Sequence, residues 1–205
     1  MRSIVSQLRA RLAGQLKGRI LDCGSGDDLF GPYLRRPGNK VISLDVDRRA
    51  LQQTPATRVV ASCENMPFVD DYFDAVWACA IIEHVTADTL PEMIRVTRPG
   101  GRIIAVTPNR HSPFDPLKRL AGMKTWAEGR GHVRLYDRTE LGSYGPVIGE
   151  TQWLPLMGWF FRRAPQLAHV LILDVTVTSE LKRRMRWRFP EVFRVRKTQY
   201  AEICL

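Results

Sequence analysis

The sequence lacks the long hydrophobic runs that membrane proteins need. Apolar stretches such as Val170–Leu173 are far shorter than the roughly 18 residues of a membrane-spanning helix. Arg9, Arg11 and Lys17 interrupt the N-terminal region, so we expect no signal peptide there. These two absences favour a cytoplasmic protein.

Cysteine is scarce and shows no pairing pattern. The four cysteines, Cys23, Cys63, Cys79 and Cys204, contain no CxxC spacing. Such a set predicts neither a zinc site nor a disulfide scaffold, and we expect reduced thiols and no metal.

Acidic residues are few relative to basic ones. The chain has 31 lysines and arginines against 21 acidic residues, a net charge of +10. Net charge bears on partners rather than on fold, and nucleic acid, an anionic membrane and an anionic substrate all fit it. Residues 1–110 carry a net +3 and residues 111–205 a net +7, with the highest density over residues 182–197. We therefore expect the excess positive charge to affect what the C-terminal half binds.

The chain does contain a regular alternation of strand-like and helix-like segments. Apolar β-rich segments lie at Arg19–Cys23, Val41–Asp45, Arg58–Ala61, Phe73–Ala78 and Arg102–Thr107, with helical segments such as Arg48–Gln53 and Thr86–Val96 between them. Alternating strands and helices predict an α/β fold, a mostly parallel sheet with helices on both faces. At roughly 100–200 residues per domain, residues 1–205 form one domain.

Three further segments lie outside this alternation. Leucine spacing predicts an N-terminal amphipathic helix over residues 3–16. Residues 108–131 are rich in Pro, Gly, Lys and Arg, which indicates an insertion or lid. Residues 198–204 are typical of a closing strand, whereas the elements between Trp153 and Lys197 cannot be bounded from the pattern.

The strongest local signal is a glycine turn followed by a distant acid. Asp22 ends the first strand, Gly24 and Gly26 form the turn, and Asp45 ends the next strand. This arrangement predicts an adenosine site, with the Asp45 carboxylate on the ribose hydroxyls. Acids follow the second glycine, and they would repel a pyrophosphate at a helix N-terminus. The pattern therefore favours a cationic sulfonium cofactor over a nicotinamide dinucleotide.

At these residues the sequence resembles the class I S-adenosylmethionine-dependent methyltransferases, in particular the small-molecule group that includes quinone-biosynthesis enzymes. The resemblance covers residues 19–108 and is carried, in order, by four blocks: Ile20–Gly26, Val41–Asp45, Glu64–Phe68 with Phe73-Asp74, and Ile82–Val85 through Arg98–Gly101. It implies a Rossmann-like, seven-stranded sheet and methyl transfer to a small-molecule or lipid-like acceptor. It also implies that residues 19–108 form the cofactor-binding core and that residues 109–197 contain the lid and the region on the acceptor side.

The resemblance also implies cofactor-binding roles for matching positions. Asp22, Gly24 and Gly26 would hold the methionine part, Asp45 the ribose, and the Ala78 carbonyl the amino group. The adenine would lie against a further set of three residues, Ser62, Cys63 and Met66. Two departures are Asp28 in place of a usual glycine and Ser62 in place of a usual aspartate; a neutral acceptor binds less strongly than a carboxylate.

Two histidines are candidates for the acceptor side, where oxygen is the expected methyl acceptor. His84 follows the fourth strand, and His132 lies in a Gly-His-Val-Arg segment that resembles one found near the acceptor in similar methyltransferases. Either imidazole could take the proton of an acceptor hydroxyl, although structural roles at helix or loop ends are alternatives. The further substrate candidates are Glu83, Arg134 and Tyr136.

The basic C-terminal half allows a second interpretation. The segment Trp153–Phe161, followed by Arg162 and Arg163, combines aromatic and basic residues as interfacial segments do, so peripheral contact with an anionic membrane is one hypothesis. Trp187 among arginines could stack on RNA, but no RNA-binding module accompanies it, and we expect no nucleic-acid partner. The alternative function is a non-catalytic protein of this fold that binds a membrane or RNA.

Overall fold

The computed structural model describes residues 7–86, 88–112, 114–122, 131–150 and 163–194. The strands are β1 Arg19–Cys23, β2 Lys40–Asp45, β3 Thr57–Val60, β4 Phe73–Cys79, β5 Thr97–Pro108, β6 Val147–Glu150 and β7 Val170–Thr176. The α-helices are α1 Gln7–Ala13, α2 Gly31–Leu34, α3 Arg48–Leu51, α4 Leu90–Val96, α5 Phe114–Leu120, α6 Arg138–Gly142, α7 Ser179–Arg188 and α8 Pro190–Phe193, with 3₁₀ turns at Ile82–His84 and Pro165–Leu167. Among the described residues, no helix has the length and apolar character to cross a membrane.

The seven strands form one sheet in the order β3-β2-β1-β4-β5-β7-β6. The pairs β1–β2, β1–β4 and β2–β3 are parallel, and β6–β7 is antiparallel. Buried residues run almost without interruption along β1, β2 and β4, as they do in parallel sheets covered on both faces. The predicted seven-stranded, mostly parallel sheet is confirmed.

Several element boundaries differ from those predicted. Helix α4 begins at Leu90 rather than at Thr86, because Pro91 fits only the first turn of a helix. Strand β5 begins at Thr97, five residues before the predicted start, and includes the predicted Pro-Gly-Gly turn. A Cβ on Gly101 would lie 2.6 Å from Thr97 Cγ2, so the strand needs glycine at that point.

The C-terminal elements are those that the pattern could not bound. Strands β6 and β7 were not located from the sequence, and both precede residue 177. The predicted closing strand over 198–204 lies outside the described residues, as does most of the predicted lid beyond helix α5. The predicted N-terminal helix is present as α1 from Gln7 onward, with Leu12 and Leu16 buried.

The chain divides into two compact units. The first comprises Met1–Ala78, Thr89–Ile103 and Thr176–Leu205, and the second comprises Cys79–Asp88 and Ile104–Val175. Both units are discontinuous in sequence. The expectation of one domain over residues 1–205 stays a prediction.

The first unit has an apolar core around β1 and β4. Trp77 is fully buried, and its ring lies 4.8 Å from that of Phe30, tilted by 51°. Ile20, Leu21 and Val76 are also fully buried. Complete burial of each such side chain contributes about 1.5–3 kcal/mol to the free energy of folding. This core fixes the strands whose ends carry the predicted cofactor residues.

A buried guanidinium joins helix α4 to the loop before β4. Arg95 is buried, and its Nε lies 2.5 Å from Glu92 Oε2. Its other nitrogens donate to the carbonyls of Phe68 and Met66 at 2.7 and 3.1 Å and to Asp70 at 2.9 Å. Because every nitrogen has an acceptor, the charge is compensated inside the protein.

We predict that Arg95→Ala destabilises the chain by about 3–5 kcal/mol, since it leaves the Glu92 carboxylate buried without its cation. The matched control is Arg98→Ala, which removes a half-exposed ion pair to Asp74 and should cost at most about 1 kcal/mol. Urea unfolding of both variants measures the difference. Equal losses of stability would contradict the role of the buried pair.

Candidate functional site

The carboxyl ends of β2, β1 and β4 lie side by side. In the strand register, Cys23 pairs with Leu44 on one side and with Ala78 on the other. Asp45 is the last residue of β2, and Asp22 immediately precedes Cys23. The structure therefore brings Asp22, Asp45 and Ala78 to one edge of the parallel sheet, where ligands bind in α/β folds.

The glycine turn after β1 is tied to the end of β2. Gly24 and Gly26 have φ angles of 68° and 50°, a conformation that glycine adopts without strain. The Gly24 N–H donates to the Leu44 carbonyl at 2.8 Å, and the Gly26 N–H donates to Asp45 Oδ2 at 2.9 Å. Asp45 Oδ1 accepts from the Asp47 N–H, so the carboxylate is held at both oxygens and still offers further lone pairs.

Asp28, which departs from the family pattern, keeps the backbone conformation of a glycine. Its φ is 64°, and aspartate is among the few residues that tolerate this region. Arg35 holds its carboxylate in a two-point ion pair, with distances of 2.7 and 2.6 Å. The charge of Asp28 is thus compensated within the protein. Sequence reasoning missed Arg35, for which the only signal was an arginine seven residues after an acid.

Asp22 is the unusual acid of this edge. The pKa of Asp22 is raised to about 7, and burial of the carboxyl is the largest cause. The neighbouring Asp28 and Asp45 carboxylates raise this pKa further, whereas Arg35 lowers it. Only 3% of its surface is exposed. A cationic group beside Asp22 would favour its ionised form, whereas an anionic ligand would not.

A hydroxyl in the turn offers a further polar contact. Ser25 is buried, and its Oγ has no hydrogen-bond partner among the described residues. Buried polar atoms are normally satisfied, so an orphaned hydroxyl in this turn fits a bound ligand with polar groups. Together with the Asp22 and Asp45 carboxylates, it suits a ligand that carries hydroxyls and a positive charge.

The predicted adenine residues follow β3. Ser62 Oγ accepts from the Glu64 N–H at 3.1 Å and lies 3.4 Å from its carboxylate. Cys63 is buried in hydrogen-bond contact with Cys23, which raises the pKa of the Cys23 thiol. Met66 is fully buried, with its backbone bonded to Glu92 and Arg95. Their adenine contacts stay a prediction.

The second unit brings Glu83, His84 and His132 together. The Val133 and Arg134 N–H groups both donate to the Glu83 carbonyl, at 2.9 and 3.1 Å. The rings of His84 and His132 lie 4.8 Å apart in a T-shaped arrangement. Two histidines that are 48 positions apart in sequence are therefore neighbours, and their roles on the acceptor side stay a prediction.

The other two predicted substrate residues adjoin this group. The Arg134 guanidinium lies 4.5 Å from the centre of the Tyr136 ring and 4.0 Å from Asp88. Tyr136 is fully buried, and burial together with the Asp88 charge raises its pKa well above the usual value. Its hydroxyl is consequently neutral at physiological pH. Asp88, which also accepts from the Tyr144 hydroxyl, was missed by the sequence reasoning because no motif marks it.

The basic C-terminal run is not uniformly exposed. Lys182 is buried and donates hydrogen bonds to Asp71 and to the Arg95 carbonyl. Its charge is therefore compensated inside the protein and does not face a partner. Trp187, by contrast, is 85% exposed on α7, between exposed arginines. The aromatic segment Trp153–Phe161 lies outside the described residues. Contact with an anionic membrane stays a prediction.

Comparison with known proteins finds matches that centre on the predicted cofactor core over residues 19–108. Residues 21–105 match the family described as "Methyltransferase domain". The malonyl-[acyl-carrier protein] O-methyltransferase of Erwinia pyrifoliae is 32% identical over 137 residues, which cover 57% of this chain and 52% of that protein. A ubiquinone/menaquinone biosynthesis C-methyltransferase of Vibrio vulnificus is 33% identical over 118 residues, 50% of this chain and 45% of that protein. The chain spans about half or less of the length of these curated relatives.

Solved structures share the fold. A SAM-dependent methyltransferase from Archaeoglobus fulgidus matches with a TM-score of 0.57 at 14% identity, over 82% of this chain and 90% of that one. The YcgJ protein of Bacillus subtilis matches with a TM-score of 0.52 at 17% identity, over 82% and 93%. The resemblance stated from the sequence is confirmed: residues 21–105 match the methyltransferase domain family, and the fold is that of solved S-adenosylmethionine-dependent methyltransferases.

We predict that Asp22 makes the stability of the chain fall as pH rises. Its folded pKa of about 7 exceeds the ordinary value of 3.8 for an aspartate, so the folded state holds the proton between these values and the unfolded state does not. The stability that this proton contributes is complete below pH 4 and is lost as pH rises towards 7, by about 1 kcal/mol per pH unit.

Asp22→Asn removes this dependence. The difference in unfolding free energy between the variant and the original chain should therefore rise between pH 4 and 7 and level off above pH 7. Urea unfolding at several pH values measures it. A difference that does not change with pH would contradict the raised pKa.

Proposed function

We propose that this protein transfers a methyl group from S-adenosylmethionine to an oxygen of a small-molecule acceptor. The single observation that carries the proposal is the edge formed by Asp22, Asp45 and the Gly24–Gly26 turn within a methyltransferase domain. Two acids and an orphaned Ser25 hydroxyl suit a ligand with ribose hydroxyls, an amino group and a sulfonium charge.

The residues of the first unit have distinct binding tasks in this proposal. Asp45 accepts hydrogen bonds from the ribose hydroxyls, and the ionised Asp22 attracts the positive charge of the methionine part. The Ala78 carbonyl, at the end of β4, accepts from the amino group. When held by these residues, S-adenosylmethionine would supply an activated methyl group for the acceptor oxygen, and its sulfur would keep the electrons of the broken carbon–sulfur bond. Positioning accounts for most of the rate of such a transfer.

In this proposal the residues of the second unit bind the acceptor and remove its proton. When an acceptor hydroxyl gains the methyl group, its proton must leave, and His84 or His132 takes it at a ring nitrogen. The neighbouring Arg134 supplies a positive charge for an anionic acceptor. Two imidazoles side by side favour oxygen over carbon as the methylated atom, although the relatives include both O- and C-methyltransferases by name.

We expect Asp45→Ala to weaken the binding of S-adenosylmethionine by about 10- to 100-fold, as the loss of charge-assisted hydrogen bonds does elsewhere. The matched control is Asp47→Ala, two residues on, which removes the N-cap of α3 and leaves cofactor affinity unchanged. Isothermal titration calorimetry with the cofactor and with its demethylated product measures both. Absence of binding at millimolar cofactor to the original chain would favour the non-catalytic alternative.

We expect His84→Ala or His132→Ala to lower kcat by about 10²–10⁴-fold if that histidine is the base, without a change in cofactor affinity. The control is His111→Ala, an exposed histidine 3.9 Å from Asp137. Transfer of a radiolabelled methyl group to a panel of phenols and carboxylic acids provides the rates. If neither variant slows transfer, the assignment of the base is wrong, and if no panel member is methylated, oxygen is not the acceptor atom.

A further inference from the structure

The strongest unassigned feature is the side-chain cluster Glu83, His84 and His132 in the second unit. One potential ligand atom from each, a carboxylate oxygen and two imidazole nitrogens, lies within 4.8 Å of both others. No sequence motif indicated such a site, because the three ligands come from two distant segments and no cysteine takes part.

Backbone hydrogen bonds hold these two segments in place. The Glu83 carbonyl accepts hydrogen bonds from the consecutive N–H groups of Val133 and Arg134, and His84 Nδ1 lies 3.4 Å from the Gly131 carbonyl. Ligands supplied by a fixed scaffold lose little conformational entropy when an ion binds. The cluster is therefore a built arrangement rather than a chance meeting of surface side chains.

Burial is graded across the cluster. Glu83 is only 1% exposed, His132 is half-buried, and His84 is exposed. Three protein ligands with one side facing solvent are typical of metal sites that keep an open coordination position. A divalent ion would also place two positive charges against a carboxylate removed from water, which is electrostatically favourable.

We propose that Glu83, His84 and His132 bind one divalent transition-metal ion, of the type represented by Zn²⁺. Two imidazoles and one carboxylate suit zinc and similar ions, whereas Mg²⁺ and Ca²⁺ prefer sites made of oxygen. Ligands about 2.1 Å from a tetrahedral ion are about 3.4 Å apart, so the cluster contracts on binding. The His84 ring is exposed, and a change of its side-chain torsions, with loss of the 3.4 Å contact to the Gly131 carbonyl, would allow this contraction.

The open position would take a water molecule or another oxygen ligand. A divalent ion lowers the pKa of such an oxygen, so in the metal-bound protein this oxygen, rather than a coordinated imidazole, would take the acceptor proton. This consequence alone rests on the proposed methyl transfer. The binding of the ion does not.

The test is metal binding by the untagged 205-residue chain after treatment with a chelator. Equilibrium dialysis against Zn²⁺ should give one ion per chain, and Co²⁺ should give the visible absorption of a site with low coordination number. His84→Ala and Glu83→Gln should each weaken binding at least 10-fold and remove the Co²⁺ absorption, as loss of a ligand does. His111→Ala should bind as the original chain does.

His84→Ala is the principal variant because the side chain is exposed, and its thermal unfolding temperature should match that of the original chain. Failure to bind Zn²⁺ or Co²⁺, or equal binding by His84→Ala, would overturn the proposal. Calorimetry with S-adenosylmethionine on the metal-free chain separates the two hypotheses: cofactor binding without metal binding overturns only the metal site, and metal binding without cofactor binding overturns only the methyltransferase.

Discussion

The hydrogen bond from the Gly26 N–H to the Asp45 carboxylate is the interaction on which the predicted cofactor site depends. It joins the turn after β1 to the end of β2, so the two segments that carry the methyltransferase pattern cannot move independently. The positive φ of Gly24 and Gly26 makes this approach of backbone to carboxylate accessible. The same carboxylate then has lone pairs to offer a ligand, which means that one side chain both shapes the turn and presents the acceptor atoms.

Electrostatics divides the acids of this edge into two kinds. Asp28 forms an ion pair with Arg35, which compensates its negative charge within the protein. Asp22 has no such ion pair among the described residues, and its pKa is raised by burial and by its acidic neighbours. The acid that looked like a departure from the family is thus structural, whereas the acid inside the strand is the one poised to respond to a cationic ligand.

The sequence predicted the first half of the fold well because its signals are local. Apolar segments defined β1, β2 and β4 to within a residue, and buried parallel strands require such segments. Strands β6 and β7 were not located, since Val147–Glu150 is only four residues long and Val170–Thr176 lies in a part of the sequence that mixes aromatic, apolar and basic residues. Ion pairs such as Asp28–Arg35 and the grouping of Glu83 with His132 depend on tertiary contacts, for which a single sequence carries no periodic signal.

The packing around Asp28 has a consequence for how this turn can vary. A Cβ on Gly31 would lie 2.1 Å from Asp28 Oδ1 and 2.2 Å from an Arg35 nitrogen, so the ion pair occupies the space that any larger side chain would need. Positions 28, 31 and 35 are therefore coupled. A glycine at 28 would leave the Arg35 cation without the Asp28 carboxylate, and a side chain at 31 would displace the ends of both side chains. Related chains that lose the acid should therefore often change the arginine as well, and position 31 then has room for a larger residue.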